Sequence, residues 1–151
     1  RAVDRAARSD GNAGHVEARA YRHLVYVLRR AMAHKTGQDL IDEAKLQIDE
    51  VTPEQVREMQ DRKERVVYLD VREANEWNVG RLPGAVHLPR GNLETKVEGI
   101  IDRGQRVVIY CARGNRSALA ALTMKQMGYE NVASMARGFL GWADINGEVE
   151  G

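Results

Sequence analysis

A chain of 151 residues, 43% of them apolar, is long enough to bury a core and suits one domain with an appendage. Its single cysteine excludes an internal disulfide framework and a cysteine-built zinc site and fits a reducing compartment, so a cytoplasmic location is expected; no apolar run approaches the ~18 residues of a membrane span, and His15, His23, His34 and His87 are too scattered to form a metal set. The net charge of +1 divides into +5 for residues 1–35, with eight Lys/Arg against three Asp/Glu, and −4 for the remainder, which excludes a general nucleic-acid binder and makes any cationic pocket a local arrangement.

Residues 1–14 are polar, Ser9-Asp10-Gly11-Asn12-Ala13-Gly14 is a loop signal, and poor order is expected there. Residues 16–33 predict a helix, with Val16, Tyr21, Leu24, Leu28 and Met32 near helical spacing and Arg19, Arg22, Arg29 and Arg30 elsewhere on its surface. Three readings compete for it. One is an ordinary helix packing on the domain or on a partner, a second copy included. Another is a basic membrane-surface or targeting segment. The third is a stretch outside the natural protein or poorly ordered, with Met32 as the original start. Residues 38–50 predict a second helix, whose apolar side is Leu40, Ile41, Ala44, Leu46 and Ile48. Residues 1–48 thus form a helical extension, and residues 49–151 form the main domain.

Val51 is expected to form a short first strand. Thr52-Pro53-Glu54-Gln55 then starts a helix, with Thr52 as cap, Pro53 at the first helical position and Gln55 three residues after the cap; it runs to about Asp61. Val66-Val67-Tyr68-Leu69 reads as a buried strand. Asp70-Val71-Arg72 lies at its carboxyl end, where ligands bind in open parallel sheets. The alternative for Asp70 and Arg72 is an ion pair that fixes the strand-to-helix turn. Residues 73–78 form a short helix with Trp77 as a core anchor. Gly80, Pro83 and Gly84 punctuate a loop, and residues 85–88 form a strand in which His87 is structural.

Residues 92–102 predict a helix, with Leu93, Val97, Ile100 and Ile101 on one side and Gly104 ending it. Residues 106–110 are the central strand. A helix from the following loop runs to about Met127, and Gly128 closes it. Residues 132–135 are the last strand, and residues 138–145 the last helix, with Phe139, Leu140 and Trp142 packing inward. Strand and helix alternate throughout, which implies an α/β domain with a parallel sheet of four or five strands covered on both faces.

The chemistry centres on Tyr110-Cys111-Ala112-Arg113-Gly114-Asn115-Arg116-Ser117. A buried strand carries Cys111 to a tight loop at a helix N-terminus. Unpaired N–H groups there form an anion site, and with nearby guanidinium groups they favour thiolate over thiol. A lone cysteine is more often a small buried apolar residue. That role requires neither Gly114 to let the loop curl back nor Arg113 and Arg116 beside it. Cys111 therefore reads as a nucleophile in an anion-binding cradle, with no metal or organic cofactor needed.

Cys111-Ala-Arg-Gly-Asn-Arg116, together with Leu69-Asp-Val-Arg72, Glu76-Trp77 and Gly80-Arg-Leu-Pro-Gly-Ala85, resembles the three ordered signatures of rhodanese-domain sulfurtransferases over roughly residues 51–142. The resemblance implies a rhodanese-like fold and a persulfide on Cys111. Sulfane sulfur would come from a small anionic donor such as thiosulfate or a persulfide and pass to a thiol, cyanide or protein acceptor. It implies that backbone N–H groups from Ala112 to Ser117 hold the donor's oxygens or the persulfide, with charge from Arg113 and Arg116. Arg116 either faces the cavity or turns to pair with Asp70 or Glu76. Arg72 is expected near the pocket and Asp70 and Glu76 as support. The family commonly has histidine where this chain has Arg81, and two glycines where it has Arg137-Gly138, so Arg137 is expected to widen the anion-binding field.

Two rivals remain. Cysteine phosphatases use a similar cradle with five residues between cysteine and arginine. Here there are four, Ala112 to Asn115, which narrows the ring of N–H groups toward a single sulfur. The other rival is a non-catalytic module that presents the N-terminal helix to a partner, or pairs with a second copy through it.

Overall fold

Val107-Val108-Ile109-Tyr110 is apolar on both of its alternating sides, and such a strand needs a covering layer on each face. A computed structural model, which describes residues 11–151 with side chains from residue 14, shows that arrangement. Five strands, β1 (Asp49–Val51), β2 (Val67–Asp70), β3 (Val86–His87), β4 (Val107–Tyr110) and β5 (Val132–Met135), form one parallel sheet in the order β1-β5-β4-β2-β3. The helices are α1 (Gly11–Ala33), α2 (Gly37–Gln47), α3 (Pro53–Asp61), α4 (Ala74–Val79), α5 (Leu93–Lys96), α6 (Asn115–Gln126) and α7 (Gly138–Asp144).

Side-chain alternation sorts the core into two layers. Leu69, Val71, Val107, Ile109 and Cys111 face Leu93, Val97, Ile101, Ala120, Ala121 and Met124. Tyr68, Val108 and Tyr110 face Val56, Met59 and Trp142 from α3 and α7. The strand order reverses direction between β2 and β4, and in open α/β sheets the ligand crevice lies beyond the carboxyl ends at such a point. Asp70 ends β2 and Cys111 follows β4, so the topology brings the two segments side by side, with Val71 N–H donating to the Tyr110 carbonyl at 3.0 Å.

Asp70 and Arg72 are 0% and 4% exposed. The Arg72 guanidinium donates from Nε and Nη2 to the Asp70 carboxylate at 2.7–3.1 Å, and Nη2 also reaches the Gly80 carbonyl at 2.6 Å. Its flat face lies 4.3 Å from the Phe139 ring centroid. This is the turn-fixing ion pair, with Nε and Nη2 both satisfied. The Arg72 guanidinium is committed to it, and its positive charge is neutralised within the fold.

Several expectations hold in detail. Thr52 caps α3 through a reciprocal pair: Gln55 N–H to Thr52 Oγ1 at 3.1 Å, and Thr52 N–H to Gln55 Oε1 at 2.8 Å. Others need correction. Asp49 and Glu50 leave the second helix and pair with Ala133 and Ser134 as an edge strand, because sheet pairing outweighs local propensity. On α2 only Ala44 is buried, with Ile41 half-buried on the same stripe and Ile48 half-buried just past the helix end, whereas Leu40 and Leu46 fall off the stripe and are exposed. The expected 92–102 helix is split into a 3₁₀ turn, the short α5 and another 3₁₀ turn. Leu93, Val97 and Ile101 point inward and Ile100 outward. Leu140 is exposed. Trp77 is half-buried rather than a core anchor. It stacks on His87 at 4.8 Å with the Arg81 guanidinium 4.4 Å from its centroid.

Among the described residues the chain divides after Gly37 into two compact units, with α1 in the first and nearly all of α2 in the second, Gln38–Gly151. Residues 1–10, expected to be poorly ordered, lie outside the described residues. The expected loop at 11–14 is the first turn of α1, since each residue added to an existing helix gains a hydrogen bond. Among the described residues no helix is long and apolar enough to cross a membrane.

Removing one partner of a buried ion pair leaves an uncompensated charge, which costs about 3–5 kcal/mol. Asp70→Asn and Arg72→Met are each expected to lower the unfolding free energy by about that much in urea titrations. The double variant should lose less than the sum of the two.

Candidate active site

The loop begins where β4 ends. The Phe139 N–H donates to the Cys111 carbonyl at 2.8 Å and the Leu140 N–H to the Ala112 carbonyl at 3.0 Å. These are otherwise unpaired donors at the start of α7. The approach is close: a Cβ at Gly138, which sits at φ +53°, would overlap the Cys111 carbonyl oxygen and come 2.6 Å from the Ala112 carbonyl carbon. With those carbonyls held outward, the chain turns at Gly114, in the left-handed region at φ +93°, and enters α6. A Cβ there would meet the Arg137 nitrogen at 3.3 Å.

The amides that follow face the sulfur. Cys111 Sγ accepts from Gly114 N–H at 3.1 Å and from Ser117 N–H at 3.4 Å. The Ser117 hydroxyl lies 3.4 Å away, accepting from the thiol or donating to the thiolate, and is itself paired with the Ser134 hydroxyl at 2.8 Å. Cys111 is 1% exposed, and burial alone pushes a thiol upward. The hydrogen bonds from Ser117 and from the Arg113 and Gly114 amides outweigh burial, so the thiol lies below its ordinary value. The sulfur thus takes donors that the α6 N-terminus would otherwise leave unpaired.

The arginines expected around the loop separate by partner. Arg116 is turned from the sulfur to Glu76, Nη1 to Oε2 at 2.9 Å and Nη2 to Oε1 at 3.0 Å. This is the pairing alternative, with Glu76 as the carboxylate. Arg72 is spent on Asp70. Arg137, at φ +63°, directs its guanidinium to Glu54 of α3 at 2.8–2.9 Å, not toward Cys111. Arg113 is exposed and makes no ion pair or side-chain hydrogen bond among the described residues. The Asn115 side chain accepts from Lys45 Nζ of α2 at 3.2 Å. Arg81 is tied to Trp77, donating to its carbonyl at 3.3 Å and stacking on its ring. Among the described residues no group of three or more His, Cys, Asp or Glu is placed to hold a metal.

Sequence reasoning missed Ser134, Lys45 and the amides of Phe139 and Leu140. Ser134 carried a signal: a hydroxyl inside the apolar strand Val132-Ala133-Ser134-Met135 must find a partner. Lys45 carried none, because its contact with the loop crosses 70 residues of sequence.

The family model of the Rhodanese-like domain matches residues 52–145. A Bacillus subtilis protein named as a candidate sulfur carrier, YrkF, is 34% identical over 95 residues, covering 63% of this chain and 51% of that protein. The thiosulfate sulfurtransferase GlpE of Actinobacillus succinogenes is 34% identical over 93 residues, covering 62% of this chain and 82% of that enzyme. A solved structure from Rhodopseudomonas palustris, of a protein of unknown function described as a possible tyrosine phosphatase, superposes with a TM-score of 0.70 at 32% identity, covering 77% of this chain and 95% of that one. The chain spans about half of YrkF and most of the other two.

The Arg116 pair holds the Glu76 carboxyl at about 2, against an ordinary 4.5, with burial opposing. A carboxyl depressed in the folded state stabilises above its unfolded value and loses that contribution as pH falls through its folded one. Glu76→Gln is therefore expected to cost about 0.5–1 kcal/mol near neutrality. The difference from wild type should shrink below pH ~4.5 and vanish near pH ~2 in denaturant titrations.

Proposed function

The chain belongs to the rhodanese-like domain family, and from that premise we propose that it transfers sulfane sulfur through a persulfide on Cys111. Relatives named for sulfur transfer support that general role. The observation that carries the specific reading is the pair of amides, Gly114 and Ser117, aimed at a thiol held below its ordinary value despite burial.

The Cys111 thiolate attacks the outer sulfur of an anionic donor such as thiosulfate. A new S–S bond forms, the donor's own S–S bond breaks, and sulfite leaves with the bonding pair. The amides that stabilised the thiolate then hold the negative outer sulfur. An acceptor nucleophile, a thiolate or cyanide, attacks that outer sulfur. Its product leaves as a persulfide or thiocyanate, and Cys111 returns as thiolate. The lowered pKa enlarges the thiolate fraction and sulfite is a good leaving group, so the reading calls on no general base or acid. Arg113 meets the donor's anionic end with its uncommitted charge. Arg116 positions the loop through Glu76 and contributes its backbone rather than its side chain.

Hydrolysis of phosphate esters is the second reading, favoured by the description of the R. palustris protein. Against it stand the four-residue spacing from Cys111 to Arg116 and the commitment of the Arg116 guanidinium to Glu76, which leaves it unavailable for phosphate oxygens.

With thiosulfate and cyanide as substrates, Cys111→Ser is expected to abolish thiocyanate formation. Arg113→Ala should raise KM for thiosulfate about tenfold, the worth of one charge-assisted contact, with kcat little changed. Turnover of an aryl phosphate by wild type that disappears in Cys111→Ser would replace this reading with the second.

A further inference from the structure

The matched family region begins at residue 52, so α1 lies outside it. It is long, and at 3.6 residues per turn its side chains sort by chemistry. Val16, Ala20, Tyr21, Leu24, Val25, Val27, Leu28, Ala31 and Met32 occupy about half of the circumference. The opposite half carries Arg19, Arg22, Arg29 and Arg30, with Tyr26 among them. The apolar half is not covered: Leu24, Leu28 and Met32 are 54%, 50% and 80% exposed. Arg22 and Arg30 donate within the helix, Nε to the Ala18 carbonyl at 3.3 Å and Nη1 to Tyr26 Oη at 3.2 Å.

An exposed apolar stripe of this width needs an occupant. The helix is too polar to cross a bilayer. A second copy would cover the apolar half but leave the four arginines opposite it unmatched, since Glu17, the single acid among the described side chains of α1, lies within the apolar half. An apolar face backed by a cationic one is complementary to a surface that is apolar beneath and anionic above.

We propose that α1 docks on the surface of an anionic lipid bilayer. Leu24, Val27 and Leu28 enter the acyl boundary, the arginines lie at headgroup level, and Tyr21, toward one edge of the apolar half, sits between, where a ring with a polar tip is favoured. Residues 34–36 join α1 to α2, so docking tethers the catalytic unit to the membrane surface. The inference does not depend on which reaction Cys111 performs.

The test is co-sedimentation of the full chain with vesicles of phosphatidylcholine alone or mixed with phosphatidylglycerol, at low and high salt. The chain is expected to pellet with the mixed vesicles, little with phosphatidylcholine, and less as salt rises. Arg22→Glu/Arg29→Glu should weaken binding at least about 30-fold, from roughly fivefold for each arginine lost. Leu24→Asp/Leu28→Asp should abolish it, with turnover of thiosulfate unchanged in both variants. No pelleting, pelleting that ignores lipid charge, or binding that survives Leu24→Asp/Leu28→Asp would overturn the proposal. So would light scattering that shows a dimer made monomeric by that variant with no vesicle binding, which assigns the face to a second copy.

Discussion

Two backbone hydrogen bonds set the sense of the loop, and the chemistry depends on them. Phe139 and Leu140 hold the carbonyls of Cys111 and Ala112, so the peptide units that follow turn their amides the other way, onto Sγ. The donors come from the start of α7, whose N-terminal amides have no partner of their own. The backbones meet so closely that position 138 has no room for a side chain. One contact therefore links three levels: a glycine in the sequence, the packing of α7 against the end of β4, and the ionisation of a thiol.

The charges around this loop work by cancellation. Arg72 is neutralised by Asp70 inside the core, Arg116 by Glu76 at the edge of α4, and Arg137 by Glu54 on α3. The Arg116 and Arg137 pairs tie α6 to α4 and the turn before α7 to α3, and each offsets a cation beside the loop; Arg116, raised above its ordinary value chiefly by Glu76, still feels the charge of Cys111. On the proposed reading an incoming anion meets the amides that face Sγ and the exposed charge of Arg113. Amide dipoles are fixed by the fold and would need no reorganisation as charge moved from Cys111 to the next sulfur and back. The buried Ser117–Ser134 pair adds a hydroxyl that serves thiol and thiolate alike by turning its proton.

The strands and the loop were legible because their signals are local. The unbroken apolar run of Val107 to Tyr110, the cap at Thr52 and the glycine turn at Gly114 each follow from a few neighbouring residues. Where tertiary pairing governs, local pattern misleads. Asp49 and Glu50 look helical and become strand because β5 offers them partners. Trp77 looks like core because of its size, yet it stays half-buried under His87 and Arg81. At the site, the position of Cys111 could be read, and so could the choice facing Arg116. The partner chosen could not, because nothing near Arg116 in sequence distinguishes Asp70 from Glu76. The reach of Arg137 to Glu54 spans 83 residues, and no periodicity records such a contact.

The account rests on amides lowering the pKa of a buried thiol, and direct titration of Cys111 tests it. It is the chain's only cysteine, so thiolate absorbance near 240 nm reports on it alone once the Cys111→Ser background is subtracted. Ionisation centred clearly below the ordinary ~8.5 is the predicted result. A midpoint at or above that value would mean that burial prevails over the hydrogen bonds, and the thiol would then be a packed core residue rather than a nucleophile.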